Sequence, residues 1–120
     1  MERPEIIINC AMSMDGKIAL LEGKRLRISC EEDLARVHRL RNTCDAILVG
    51  IGTVLKDNPS LKVKERYVKN PRRLLKVVLD SRCRIPPDSR LLQEGNTIVF
   101  VTHGYGKKLE NAEGAIMMEI

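Results

Sequence analysis

Short apolar runs break up an otherwise polar chain, at Glu5–Ala11, Ala46–Val49, Leu74–Asp80, Thr97–Thr102 and Ala115–Ile120. Each is rich in Ile, Val or Leu, too short to stand as a helix, and bounded by turn-forming or charged residues, so each reads as a buried strand. Between the first two runs the period changes. Leu34, Val37 and Leu40 form a helical stripe with Arg36, Arg39 and Arg41 off it, which predicts a helix of about three turns. Ser29-Cys30-Glu31-Glu32 is a capping box that opens it, and Asn42-Thr43 close it. Leu61–Lys64 reads as a short extended piece with alternating cations, 65–73 as a polar loop containing Pro71, and Lys107–Glu113 as a short helix. Strands at this spacing, some separated by helical segments, predict an α/β fold with a mainly parallel central sheet flanked by helices.

The turns after these strands hold the candidate chemistry. The run ending at Val49 breaks into Gly50-Ile51-Gly52-Thr53, and Asp57-Asn58-Pro59 then stops the segment, because a residue before proline is pushed out of the α region. Two glycines free the backbone to turn and leave main-chain N–H groups open to a ligand. Thr53 and Asp57 are therefore expected on a glycine-hinged loop at a strand end. Gly-x-Gly-Thr is shorter than the dinucleotide fingerprint, and no Lys-Ser/Thr follows it, so the residues alone leave an ordinary turn as open as a binding crevice. Ser81-Arg82-Cys83-Arg84 follows the third run and His103-Gly104 the fourth. In a parallel sheet, Thr53, Ser81 and Thr102 would share one edge, the placement of a nucleotide cleft. Asn9 is a polar side chain inside the first run and needs a partner. The Asp15-Gly16 turn behind that run places Ser13 and Met12 near the same edge.

Composition narrows the options. The 120 residues suit one domain, 1–120, and with one Phe, two Tyr and no Trp the core must be aliphatic. The formal charge of +5 favours anionic partners. Scattered cations and so few aromatic rings argue against nucleic acid and for a phosphorylated small molecule. Cys10, Cys30, Cys44 and Cys83 form no Cys-x-x-Cys pair and have no nearby histidine, so reduced, mostly buried thiols and no metal site are expected. His38, inside the helical pattern, and His103, after a strand, both read as structural. Without a signal peptide or an apolar run of membrane-spanning length, the expected compartment is the cytoplasm, with no membrane contact.

Met12-Ser-Met-Asp-Gly-Lys-Ile-Ala19, the stretch Asp45 to Lys64 and Lys76-Val-Val-Leu-Asp-Ser-Arg-Cys-Arg-Ile-Pro86 resemble the reductase of riboflavin biosynthesis. That family includes the free-standing archaeal and fungal pyrimidinone 5′-phosphate reductases and the C-terminal domain of the bacterial deaminase-reductase. The resemblance implies a dihydrofolate-reductase-like fold, NADPH as hydride donor, and a homodimer that reduces the ribosyl side chain of a pyrimidinone ribosylamine 5′-phosphate to ribityl. It assigns Met12, Thr53, Asp57, Ser81 and Arg82 to the cofactor and Arg41, Leu61 and Lys64 to the substrate. Lys64 stands where many relatives carry Arg, so a point charge replaces a bidentate fork there. Asp57 is the candidate catalytic carboxylate, and no general acid is assigned. Relatives continue to a Gly-Gly-rich strand-to-helix turn that resembles a second pyrophosphate-binding element, so a truncated chain, or one completed by a second copy, is expected. A non-catalytic nucleotide-binding module, an inactive fragment of the reductase and a nucleic-acid-binding domain are the alternatives.

Overall fold

The computed structural model describes residues 2–22, 24, 27–104 and 115–120. The chain divides into two compact units, Met1–Val37 and His38–Ile120. The helix α1, Glu31–Thr43, crosses that boundary, and the elements β1 Ala46–Gly50, α2 Ile51–Asp57, β2 Leu75–Leu79, α3 Arg90–Glu94, β3 Thr97–Val101 and β4 Ala115–Glu119 follow.

In the first unit the expected strand at Glu5–Ala11 does not form, and Ile6, Ile7 and Ile8 are exposed. A strand exists only as part of a ladder, and β-branched composition cannot supply the neighbouring strand. The Asp15-Gly16 turn does form. Gly16 has φ +79, its N–H donates to the Ser13 carbonyl at 3.0 Å, and the Lys17 N–H donates to Ser13 Oγ at 3.0 Å. Asn9 finds its partner in Arg36, whose guanidinium donates to Asn9 Oδ1 at 2.9 Å and also pairs with Asp33. The first helical bond of α1 runs from the Leu34 N–H to the Cys30 carbonyl, so the cap falls on Cys30, one residue after the predicted Ser29.

The second unit is built on an all-parallel sheet in the order β1-β2-β3-β4. Gly50 lies opposite Leu79, Leu79 opposite Phe100 and Phe100 opposite Met118, so all four strands end at one edge. One face of the sheet is closed. Val78, Val99 and Val101 pack with Ile51 and Val54 of α2, Leu91 and Leu92 of α3, and Leu61, Cys83 and Ile85 from the loops. Each such side chain taken out of water contributes about 1.5–3 kcal/mol. On the other face Leu48, Leu79, Ile116 and Met118 are exposed, although parallel strands are usually apolar because both faces are covered.

Two differences from the sequence reading matter for the site. Ile51–Asp57 is a helix rather than a glycine-hinged loop. Gly52 costs about 1 kcal/mol relative to alanine in a helix, but burial of Ile51 and Val54 on the core outweighs it. Asn58 ends the helix in the left-handed region, φ 42, with its N–H on the Val54 carbonyl at 2.9 Å, and Pro59 prevents continuation. The helix α3 was not anticipated; Leu91 and Leu92 bury it against the sheet. The predicted helix at Lys107–Glu113 lies outside the described residues.

Candidate functional site

At the end of β2, Asp80 is 1% exposed. Its Oδ1 accepts the Arg84 N–H at 2.9 Å and its Oδ2 the Ile85 N–H at 2.8 Å, while its carbonyl accepts the Cys83 N–H at 3.0 Å. The loop 81–85 is thus wrapped around one carboxylate. Cys83, held at φ 52, and Ile85 turn into the core, leaving Ser81, Arg82 and Arg84 outside. The Thr102 N–H donates to the Ser81 carbonyl at 3.0 Å and ties the loop to the end of β3. Ile51, Leu79, Ser81, Arg82 and Arg84 line an open groove of about 280 Å³. An apolar floor beside a hydroxyl and two guanidiniums suits an anionic nucleotide, because guanidiniums bind phosphate bidentately. Neither Arg82 nor Arg84 has an acidic partner among the described residues.

The helix α2 starts at Ile51, a wall of that groove. Thr53 and Asp57 stand four residues apart on it and share an exposed face, while Ile51 and Val54 are buried. Neither side chain makes a hydrogen bond or ion pair with a described residue, so neither is spent on holding the turn. A Cβ added at Gly50 or Gly52 would meet nothing within 4 Å. Packing does not require these glycines, and the space beside them fits the close approach of a cofactor phosphate.

A second cluster gathers where α1 ends. Arg41 is half-buried, which pushes its pKa below that of a solvated guanidinium, though a guanidinium stays charged. His38, one turn earlier, is buried, and its Nδ1 accepts the Lys64 main-chain N–H at 3.3 Å. Its ring stacks on Tyr67 with centroids 4.7 Å apart, and the Arg66 guanidinium lies 4.6 Å from the Tyr67 centroid. Burial pushes the His38 pKa down, and the charges of Arg41, Lys64 and Arg66 push it further the same way. Arg41 and Lys64 have no carboxylate partner among the described residues. Unneutralised cations around one residue raise the local positive potential, which favours a small anion.

The fold therefore gathers Ser81 and Arg82 in one groove, sets Thr53 and Asp57 on the helix that begins at its wall, and brings Arg41 and Lys64 together around His38. Leu61 is 6% exposed, with φ 57 and its side chain in the core cluster, so a ligand there would meet its main chain. Met12 lies in the first unit and is exposed. Asp80 and His38 escaped the sequence reading as parts of the site. The available signals were an acid directly after an apolar run and a histidine three residues before Arg41. Among the described residues no cluster could hold a metal ion, and no helix is long and apolar enough to cross a membrane.

Residues 4–113 match the model of the RibD C-terminal domain family. The chain is 50% identical over 108 residues to the 2,5-diamino-6-ribosylamino-4(3H)-pyrimidinone 5′-phosphate reductase of Archaeoglobus fulgidus, covering 83% of this chain and 49% of that protein. It is 48% identical over 101 residues to the protein of the same name from Methanothermobacter thermautotrophicus, covering 83% of this chain and 46% of the relative. Among solved structures, Acinetobacter baumannii RibD superposes with a TM-score of 0.78 at 28% identity, over 92% of this chain and 32% of that one. The Thermotoga maritima deaminase/reductase gives 0.67 at 29% identity, over 92% and 37%. The chain thus spans about half the length of the archaeal relatives it matches.

Proposed function

Because the chain belongs to the RibD C-terminal domain family, we propose that it serves a reductase that reduces the ribosyl side chain of a pyrimidinone ribosylamine 5′-phosphate at the expense of NADPH. One observation carries this reading. The groove of Ser81, Arg82 and Arg84 opens at the sheet edge where α2, the helix that carries Thr53 and Asp57, begins, in a protein 50% identical over 108 residues to a named pyrimidinone phosphate reductase. When bound, the nicotinamide supplies the hydride, and the protein contributes orientation and electrostatics. Arg82 and Arg84 would hold the 2′-phosphate of the adenosine ribose, with Ser81 donating a hydrogen bond beside them. Thr53 and Asp57 would orient the rest of the dinucleotide toward the substrate. Arg41 and Lys64 would clamp the substrate 5′-phosphate, leaving the ribosyl carbon to face the cofactor. The reading carries with it a cytoplasmic homodimer, which light scattering on the purified protein tests for assembly.

Titration with NADPH and with NADH, followed by nicotinamide fluorescence, tests the cofactor end. NADPH should bind about tenfold or more tightly, because one charge-assisted phosphate contact is worth about 1.4 kcal/mol or more. Equal affinities at moderate salt would remove the assignment of Arg82 and Arg84. Since the chain spans about half the length of those relatives, a nucleotide-binding module without turnover is the second reading. NADPH binding with no oxidation in the presence of substrate would select it.

A further inference from the structure

His38 is a buried imidazole that the chemistry of hydride transfer does not use. It sits between two cations proposed to hold substrate. Its Nδ1 faces the Lys64 N–H at 3.3 Å, so it must be the unprotonated, accepting nitrogen. The Lys64 carbonyl in turn accepts the N–H groups of Tyr67 and Val68 at 3.1 and 3.2 Å, closing the turn that carries the Tyr67 ring back onto the imidazole. On the other side His38 shares a helix face with Arg41, three residues on. All of these residues belong to the unit His38–Ile120. Among the described residues, the charged and aromatic groups around the imidazole are Arg41 from α1 and Lys64, Arg66 and Tyr67 from the loop. Without the imidazole, nothing among the described hydrogen bonds joins Arg41's helix to Lys64's main chain.

We propose that His38 is a positioning residue. By accepting the Lys64 N–H and stacking on Tyr67, it fixes the 61–68 turn against α1, so that Arg41 and Lys64 act as one preformed site for a phosphate monoester. This rests on the reading of Arg41 and Lys64 as the substrate-phosphate site. Two like charges brought together repel, and their geometry must be held by something other than themselves. His38 can do so because, uncharged, it adds no third repulsion and competes for no anion. The device also compensates for the lysine at position 64. A point charge on a flexible stem lacks the fork of an arginine, so its direction depends on how firmly its main chain is held.

The test uses ribose 5-phosphate as probe and calorimetry together with ¹H–¹⁵N spectra of the intact protein, whose only histidines are His38 and His103. His38→Leu, which removes the acceptor, should weaken ribose 5-phosphate binding about tenfold or more, as expected when a main-chain N–H loses its partner. His38→Asn, whose Oδ1 can take the same N–H, should bind within about threefold of wild type, a ratio worth under 1 kcal/mol. Binding by His38→Leu equal to wild type overturns the positioning role and leaves the phosphate site standing. No ribose 5-phosphate binding by the wild-type protein overturns the phosphate site itself, and the positioning role with it. Should His38→Leu fail to fold, the wild-type spectra decide. Ribose 5-phosphate should move the Lys64 amide and the His38 ring resonances together, and binding that leaves both still overturns the proposal.

Discussion

Asp80 and His38 are both nearly withdrawn from solvent, and both accept main-chain N–H donation, Asp80 two bonds and His38 one, from a loop that carries exposed cations. Asp80 does it with a charge. Two bonds of 2.9 and 2.8 Å leave both carboxylate oxygens engaged, and charge-assisted bonds are about twice as strong as neutral ones. His38 does it with a neutral ring, one bond of 3.3 Å and a stacking contact. The difference follows from the neighbours. A carboxylate at position 38 would neutralise the charges of Arg41 and Lys64 beside it. A carboxylate at position 80 is harmless, because it faces the loop's N–H groups while Arg82 and Arg84 point outward. The loop 81–85 is therefore held by two charge-assisted bonds, and the turn 61–68 is held more weakly.

The largest effect that tests this contrast is at Asp80. Asp80→Ala orphans two buried or half-buried N–H groups at about 1–3 kcal/mol each, so a loss of about 3 kcal/mol in urea unfolding is expected, with weakened NADPH binding in whatever remains folded. A loss under about 1 kcal/mol would mean the loop holds itself. Next comes Lys64→Ala, which should cost about 1.5–3 kcal/mol of substrate binding, the scale of a charge-assisted hydrogen bond, and leave NADPH affinity unchanged. An unaltered KM for the phosphorylated substrate would reduce Lys64 to surface charge. Asp57→Asn follows. It preserves size on an exposed helix face, so Tm should stay nearly constant while turnover per folded molecule falls about tenfold, equivalent to about 1.4 kcal/mol. A lower Tm with intact turnover would instead make Asp57 a structural residue at the end of α2.

How far the sequence foretold these regions depends on whether the information was local. The strands β1 to β4 were legible because a strand of a parallel sheet is an apolar run, although β1 and β4 are not buried here. The run at Glu5–Ala11 carries the same signal and forms no strand, since a ladder partner is not a local property. The helix α2 was misread for a related reason: its two glycines are local, while the core that buries Ile51 and Val54 is not. Ser81 and Arg82 could be placed as a turn after a strand. The role of Asp80 was hidden in the direction of two N–H groups, and that of His38 in a contact 26 residues away in sequence. That these loops would expose hydroxyls and cations was readable; which buried groups accept the loops' N–H groups was not.

The smallest effect, and the one that most sharpens the contrast between a charged and a neutral anchor, is the pH dependence of stability. His38 has its pKa pushed below the ordinary 6.5 by burial first and by Arg41, Lys64 and Arg66 next. The unfolded chain, with an ordinary histidine, therefore takes up a proton as pH falls through 6.5 while the folded protein does not. Stability is fully present above that pH, declines as pH drops, and levels off only below the lowered pKa of the folded state. The slope in that window can reach about 1.4 kcal/mol per pH unit. Carboxylates contribute to any acid-side loss, so the informative quantity is the difference between wild type and His38→Asn, which keeps the acceptor and cannot titrate. Urea midpoints from pH 7.5 downward should converge or cross as wild type loses stability faster through the histidine range. Parallel curves would show that His38 charges as readily folded as unfolded, which a buried imidazole accepting the Lys64 N–H cannot do.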